Sequence, residues 1–179
     1  MDNRRVEIYV QDFFQESSPK KSVENGDKYV PISAETWSSW FYQWVNIMEC
    51  DIIPPAYLYE IGLRLTDDRE IQTLNFQYRN QDKSTDVLAF AAREVDLPKF
   101  TQIETSEPLY LGDIVISVDT AQKQAIQQGH SLKTELAWLA SHGLLHLIGW
   151  DHPDEESLQR MMIKQVLLLK TVSIDIHIE

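Results

Sequence analysis

The sequence predicts a single α+β domain, in which a small mixed β-sheet of about four strands packs against about five helices. Its 179 residues are close to the length of one typical domain. Apolar residues make up 43% of the chain, which is enough to fill a core. The predicted elements follow the order strand, helix, strand, helix, two strands and three helices, and no internal repeat divides residues 1–179.

The first two elements and the loop between them come from the first 50 residues. Alternating apolar and polar residues predict a strand at 6–13, and the polar stretch 15–28 predicts a loose loop. Ser33 is expected to cap a helix whose apolar side chains recur on one face. These side chains are Trp37, Trp40, Phe41, Trp44, Val45 and Met48.

The central part of the chain predicts three strands and one helix. Two consecutive prolines break any helix before the strand at 57–66. Thr66 or Asp67 is expected to cap a helix that runs to Tyr78. Residues 86–92 and 109–118 predict two more strands, separated by a polar loop.

Three helices and a short tail complete the predicted domain. Asp119 is expected to cap the first of them, which Gly129 ends. Ser131 begins the second, which stops near Gly149, and Asp154 begins the third, which runs to about residue 170. Residues 171–179 form the tail.

Charge and cysteine content limit the expected partners and compartment. The net charge of −12 and the pI near 4.8 differ from the basic pI above about 9 of a free nucleic-acid binder. An RNA substrate would therefore need a local patch or a helper surface. Cys50 is a single cysteine, and no apolar run is long enough for a signal peptide or a membrane span. We expect a cytoplasmic protein with no membrane partner.

Three of the five histidines lie within the eleven residues HGLLHLIGWDH. His142 and His146 are four residues apart, so they project from one face of the predicted helix. Gly149 can end that helix in a left-handed conformation and return His152 toward the first two. Three neutral imidazoles favour zinc and leave a fourth position for water. We therefore expect one Zn²⁺ per chain, bound by these three histidines.

The spacing HxxxHxxGxxH matches the zinc motif of metzincin peptidases in its ligands and its glycine. Those peptidases carry their general-base glutamate directly after the first histidine, where this chain has Gly143. Glycine cannot move a proton, so the motif alone does not predict a peptidase. The alternative of three histidines held only by core hydrogen bonds would need a partner for both nitrogens of each ring.

Three blocks of the sequence resemble the bacterial YbeY family of rRNA maturation endoribonucleases. They are LNFQYRNQDKSTDVLAF at 74–90, LGDIVIS at 111–117 and SHGLLHLIGWDH at 141–152, with GHSLKTEL before the last. The resemblance covers about 57–169 and leaves out roughly the first thirty residues and the tail. It implies a metal-dependent endoribonuclease that is specific for single-stranded RNA. It also implies rRNA end maturation, notably on the small subunit, ribosome quality control, and the ribosome or small-subunit ribosomal proteins as partners.

The chain departs from the family pattern at four positions that are not metal ligands. Ala89 and Ala91 stand where serine and then proline are usual, Trp150 where tyrosine is usual, and Gln165 where glutamate is frequent. These departures bear on how the substrate is positioned and leave the three predicted ligands intact.

Arg79 is the expected catalytic residue beside the metal. A guanidinium can hold two oxygens of a phosphorane-like transition state at once, and the resemblance places this arginine near the metal. Zinc could lower the pKa of its bound water enough to supply hydroxide without a protein base. The alternative for Arg79 is a surface ion pair with Asp82 or Asp86.

Asp151, His130 and the function itself each allow more than one interpretation. Asp151 could orient the imidazole of His152 or cap the last helix. His130 is expected to be a solvated residue at a helix junction. A ribosome-assembly factor with a structural zinc is the main alternative to the endoribonuclease, because an acidic surface suits a protein partner better than RNA.

Overall fold

The computed structural model describes residues 3–14, 29–92 and 107–178. The predicted loop at 15–28 and most of the loop before residue 109 lie outside the described residues. The strands in the described part are β1 (Arg5–Asp12), β2 (Leu58–Thr66), β3 (Val87–Ala91) and β4 (Leu109–Ser117). The α-helices there are α1 (Ala34–Ile47), α2 (Asp68–Arg79), α3 (Val118–Gln128), α4 (Leu132–Leu147) and α5 (Glu155–Thr171).

The four strands form one mixed sheet in the order β1-β2-β4-β3. β1 pairs with β2, and β2 with β4, in parallel, while β3 lies antiparallel to β4 at the edge. Helix α1 lies between β1 and β2 in the chain, as a parallel connection requires. The prediction of a small mixed sheet with five helices is confirmed.

The aromatic face predicted for α1 packs into the core. Trp37, Phe41 and Trp44 are fully buried, and the Trp44 indole Nε1 donates to the carbonyl of Leu168 in α5 at 2.9 Å. Burying such large rings supplies the hydrophobic free energy that holds α1 to the rest of the domain. Because of the hydrogen bond, α1 also fixes the position of α5, the helix that packs beside α4.

The predicted N-caps are correct for four helices and wrong for one. Ser33, Asp67, Ser131 and Asp154 each accept a backbone N–H in the first turn of the helix they precede. For α3 the cap is Ser117 and not Asp119. Strand β4 continues directly into α3, so the helix begins earlier than the spacing predicts. Asp119 instead accepts the backbone N–H of Asp68 at 3.0 Å.

The residues after α5 contact the core. Val172, Ile174 and Ile176 pack against it, and the Ile174 N–H donates to the Leu169 carbonyl at 3.0 Å. In the described ranges, none of the helices combines the length and the hydropathy that a bilayer crossing requires.

Candidate metal centre

The structure brings together the three histidines of the predicted zinc motif. His142 and His146 project from the last turns of α4, and His152 lies in the segment between α4 and α5. One nitrogen from each ring lies within 4.8 Å of the others, and the two Nε2 atoms of His142 and His146 are 3.0 Å apart. The three side chains could therefore hold one metal ion.

The turn after α4 returns His152 to the cluster. Gly149 adopts a φ of +103°, a value that residues with a Cβ rarely adopt. The N–H of the next residue, Trp150, donates back to the carbonyl of Leu145 at 2.9 Å. This closed turn reverses the chain, as the sequence predicts from Gly149.

Gly143 lets α4 pack closely on the sheet. A Cβ added at this position would lie 2.7 Å from Cγ2 of Ile114 in β4, closer than real Cβ contacts allow. A glutamate at position 143 would have to displace Ile114. A side chain at the position of the metzincin general base would therefore require Ile114 to shift.

Gln165 contacts the ring of His142. The Gln165 side chain is buried, its Nε2 donates to the Trp138 carbonyl at 3.2 Å, and its Oε1 lies 3.1 Å from His142 Nδ1. Because the amide nitrogen faces a carbonyl, the amide oxygen faces His142 and must accept a proton from Nδ1. His142 Nε2 is then unprotonated and faces His146.

The surroundings of His142 and His146 favour the neutral form of these two imidazoles. Burial lowers the pKa of His142, and burial followed by the neighbouring His142 and His152 lowers the pKa of His146 to about 4. Neutral imidazole is the form that binds a metal. Two nitrogens that each lie about 2.0–2.1 Å from a tetrahedral zinc are about 3.3 Å apart, close to the separation of the two Nε2 atoms. The donor set thus fits a divalent transition metal.

The histidines line an open cleft with a volume of about 750 Å³. Its other walls come from the end of α2, from β3, from the segment before α5 and from the first turn of α5. Lining residues in these walls include Arg79, Ala89, Ala91, Trp150 and Leu158. The cleft also contains the carboxylates of Asp86 and Asp151. A substrate in the cleft would thus meet the imidazoles and the Arg79 side chain together.

Arg79 is the last residue of α2, and its exposed guanidinium donates from Nη2 to the Ala89 carbonyl at 3.1 Å. The carboxylates proposed as alternative partners have other donors. Asp82 accepts from Gln72 at 3.0 Å, and Asp86 accepts from Gln124 at 3.1 Å. The structure therefore places Arg79 in the metal cleft and favours this position over a surface ion pair.

The structure corrects the cap interpretation of Asp151. Its Oδ1 accepts the backbone N–H of His152 at 2.8 Å, whereas Asp154 caps α5 with a reciprocal bond to Ser157. Asp151 thus holds the backbone of a predicted ligand.

His130 lies at a helix junction, as predicted, but it is only partly exposed and has a partner. Its Nε2 contacts Oε2 of Glu135, a carboxylate that is only 3% exposed at the start of α4. Burial raises the pKa of Glu135, and the hydrogen bond from His130 opposes that shift. His130 therefore satisfies a buried carboxylate at the opposite end of α4 from the metal cluster.

The fold and the cluster define a class of protein: an α+β domain in which one buried helix and the turn after it place three imidazoles, which could hold a metal ion, at the wall of an open cleft. The model of the family described as "Endoribonuclease YbeY" matches residues 22–173. The chain belongs to this endoribonuclease family, and is a nuclease of the hydrolase class.

Individual relatives match over almost the whole chain. Proteins described as "Endoribonuclease YbeY" from Trichormus variabilis and from a Nostoc species are 59% and 58% identical to it. Each alignment covers 97% of this chain, and covers 98% and 94% of the two relatives. The family likeness therefore extends well beyond 57–169, and the expectation that about the first thirty residues lie outside it is wrong.

A solved structure supports the fold. The solution structure of a Thermotoga maritima protein has a TM-score of 0.52 to this chain at 18% identity, and the match covers 93% of this chain and 92% of the other. At this identity the likeness shows a shared fold alone.

Proposed function

We propose that this chain is a zinc-dependent endoribonuclease that cuts single-stranded RNA, matures the ends of small-subunit ribosomal RNA and acts in ribosome quality control. The observation that carries the proposal is the open cleft in which three imidazoles and the Arg79 guanidinium meet. Family membership supplies the endoribonuclease activity, and the cleft supplies the groups for it.

The proposed metal is one zinc ion per chain, held by His142, His146 and His152. Structural zinc sites are closed by four protein ligands, whereas catalytic sites have three and leave a position open. Three described imidazoles at the wall of a cleft fit the catalytic type. Bound zinc supplies Lewis acidity and lowers the pKa of a coordinated water toward about 7.

Arg79 is the proposed catalytic residue because it can hold the phosphoryl group of RNA. Its planar fork of N–H donors matches two phosphoryl oxygens, and charge that gathers on those oxygens in the transition state strengthens the contact. The hydrogen bond to Ala89 orients the guanidinium along the cleft wall and leaves it exposed to a substrate. Arg79 therefore binds and orients the phosphoryl group.

The carboxylates of the cleft have structural partners. Asp86 accepts from the backbone N–H of Val87 at 2.7 Å and from Gln124, and Asp151 holds the backbone of His152. Gly143 offers no side chain. The proposed mechanism therefore assigns no proton transfer to a carboxylate and relies on the metal site and Arg79.

The acidic surface requires help in binding RNA. A net charge of −12 repels a polyanion, and at physiological ionic strength salt screens this repulsion only beyond about 8 Å. We propose that the ribosome, through small-subunit ribosomal proteins, brings the cleft to its substrate. A cytoplasmic location is part of the same proposal, and the exposed free thiol of Cys50 suits a reducing compartment.

The same negative charge favours a second candidate, a ribosome-assembly factor whose zinc is structural. The two candidates differ in whether purified protein cuts RNA. A peptidase of metzincin type is disfavoured, because Ile114 occupies the space that a glutamate at 143 would need.

The deciding experiment incubates purified, zinc-loaded protein with a single-stranded RNA, with the same strand in a duplex, and with casein. We expect cleavage of the single strand only, loss of cleavage with chelator, and recovery when zinc is restored. Intact RNA at full zinc occupancy would favour the assembly factor. Chelator-sensitive cleavage of casein would favour the peptidase.

A further inference from the structure

We propose that Gln165 is a positioning residue for the metal centre, because it holds His142 in the tautomer and orientation that present an unprotonated Nε2 to the ion. The inference rests on the proposed metal site and deepens it. Gln165 lies in α5, outside the zinc motif, and touches neither the open cleft nor the substrate path.

The amide of Gln165 has one orientation that satisfies both of its contacts. Its nitrogen lies 3.2 Å from the Trp138 carbonyl, which can only accept, so the amide nitrogen donates there. Its oxygen then faces His142 Nδ1 at 3.1 Å and can only accept. The side chain is 1% exposed, so no water can take over either contact without entering the core.

The two contacts tie the ring of His142 to its own helix. Trp138 lies one turn before His142 in α4, and its carbonyl also accepts from the Ser141 hydroxyl at 2.8 Å. Gln165 therefore spans from the backbone of α4 to the imidazole that projects from it. Rotation of the ring would break a buried hydrogen bond, which is costly.

The chemistry of the amide distinguishes it from a carboxylate at the same place. A histidine ligand usually donates its second N–H to an acceptor that fixes the ring, and an anionic acceptor makes the ring more basic. A neutral amide fixes the ring without adding charge. An ionised carboxylate at 165 would also place an oxygen against the Trp138 carbonyl, so the amide matches both partners and the carboxylate matches one.

Two substitutions separate the contact with His142 from the contact with Trp138. In Gln165→Met, the methionine side chain is similar in length to glutamine but makes neither hydrogen bond. Gln165→Glu keeps an acceptor for His142 Nδ1 and removes the donor to Trp138. Both variants should lose some thermal stability. We expect zinc affinity, measured by competition with a chromophoric chelator, to fall about 10–100-fold in Gln165→Met and to stay within about threefold of the parent, or rise, in Gln165→Glu.

A matched control lies one turn earlier on the same helix. Met161 is also fully buried in α5, and Met161→Leu should change packing without changing zinc affinity. Equal losses of affinity in the Met and Glu variants of Gln165, or a similar loss in Met161→Leu, would show that packing of α5 and not the His142 contact matters, and would overturn the inference.

A second measurement needs no metal and no RNA. ¹⁵N-NMR of the metal-free protein at neutral pH should show His142 as the Nδ1–H tautomer, and Gln165→Met should shift the ring toward a tautomer mixture. An Nε2–H ring in the parent protein would overturn the inference. Absence of RNA cleavage, with the tautomer and the zinc affinity as expected, would overturn the proposed function alone.

Discussion

The two ends of α4 carry histidines in opposite environments. At its start, His130 Nε2 contacts the buried carboxylate of Glu135, so this nitrogen has an anionic partner within the protein. Near its end, His142 gives Nδ1 to the neutral amide of Gln165 and keeps Nε2 for the cluster. Either acceptor leaves the other ring nitrogen available, so the neighbouring side chains make the difference. His130 pairs with one buried carboxylate, whereas His142 lies with His146 and His152 in a group that could hold one metal ion.

Removing a predicted ligand should give the largest effect. His142→Ala or His146→Ala deletes one of three donors, so zinc content should fall from about one per chain to a trace. This loss should exceed the fall in zinc affinity of about 10–100-fold expected for Gln165→Met. Elemental analysis after purification without chelator measures it. His130→Ala, at the other end of α4, should retain its zinc. Unchanged zinc content in His142→Ala or His146→Ala would contradict the proposed metal site.

Substitution of Arg79 tests whether the cleft at the end of α4 is catalytic as well as metal-binding. Arg79→Ala should lower RNA cleavage turnover about a hundredfold or more, because one donor to a developing oxyanion is worth about 3–4 kcal/mol. Zinc content should not change. Arg79→Lys should recover little, since an ammonium cannot make the planar two-point contact. Near-normal turnover of Arg79→Ala at full zinc occupancy would make this side chain structural.

Substitution of His130 should lower the free energy of unfolding and leave the zinc content unchanged. His130→Ala leaves the Glu135 carboxylate buried without this partner, which should cost about 1–3 kcal/mol at neutral pH by urea denaturation. Burial already raises the pKa of Glu135, and losing His130 raises it further. The folded state then binds the proton more tightly than the unfolded state, so the variant should regain stability as the pH falls below neutral. A pH-independent deficit would contradict this account.

Gly143 gives the smallest expected effect and acts only at the metal end of α4. Gly143→Ala gains about 1 kcal/mol in helix propensity but overlaps Ile114, and overpacking costs about 1–3 kcal/mol. We expect a net loss of about 1 kcal/mol of unfolding free energy. The same substitution in an Ile114→Ala background should stabilise, as a double-mutant cycle would show. Additive effects would mean that the close approach of α4 to β4 is not limiting.

What the sequence predicts well here depends on neighbours along the chain. The four correct caps, the aromatic face of α1 and the turn at Gly149 are each set within about one helical turn. The convergence of His142, His146 and His152 is local for the same reason. The wrong cap at Asp119 shows the limit, because the start of α3 is set by β4 and its pairing in the sheet.

The features that the sequence could not predict depend on burial and on distant packing. Gln165 is 23 residues from His142, and only the packing of α5 on α4 makes its amide a partner of the ring. Its sequence signals are its place on the apolar face of a helix and its departure from the glutamate that is frequent there in the family. Glu135 lies close to His130 in the chain, but its burial depends on the whole core, so their pairing was not predictable from spacing.

Because β3 lies at the edge of the sheet, Arg79 also has a structural role there. An edge strand presents unpaired backbone groups on which another chain can add a strand, and proteins often protect such edges with charged side chains. Arg79 donates to the carbonyl of Ala89 in the middle of β3, so a cation covers the rim of the sheet where it borders the cleft. The side chain proposed to bind the phosphoryl group thus also occupies a backbone acceptor of the edge strand, and replacing it would leave that acceptor open to another chain.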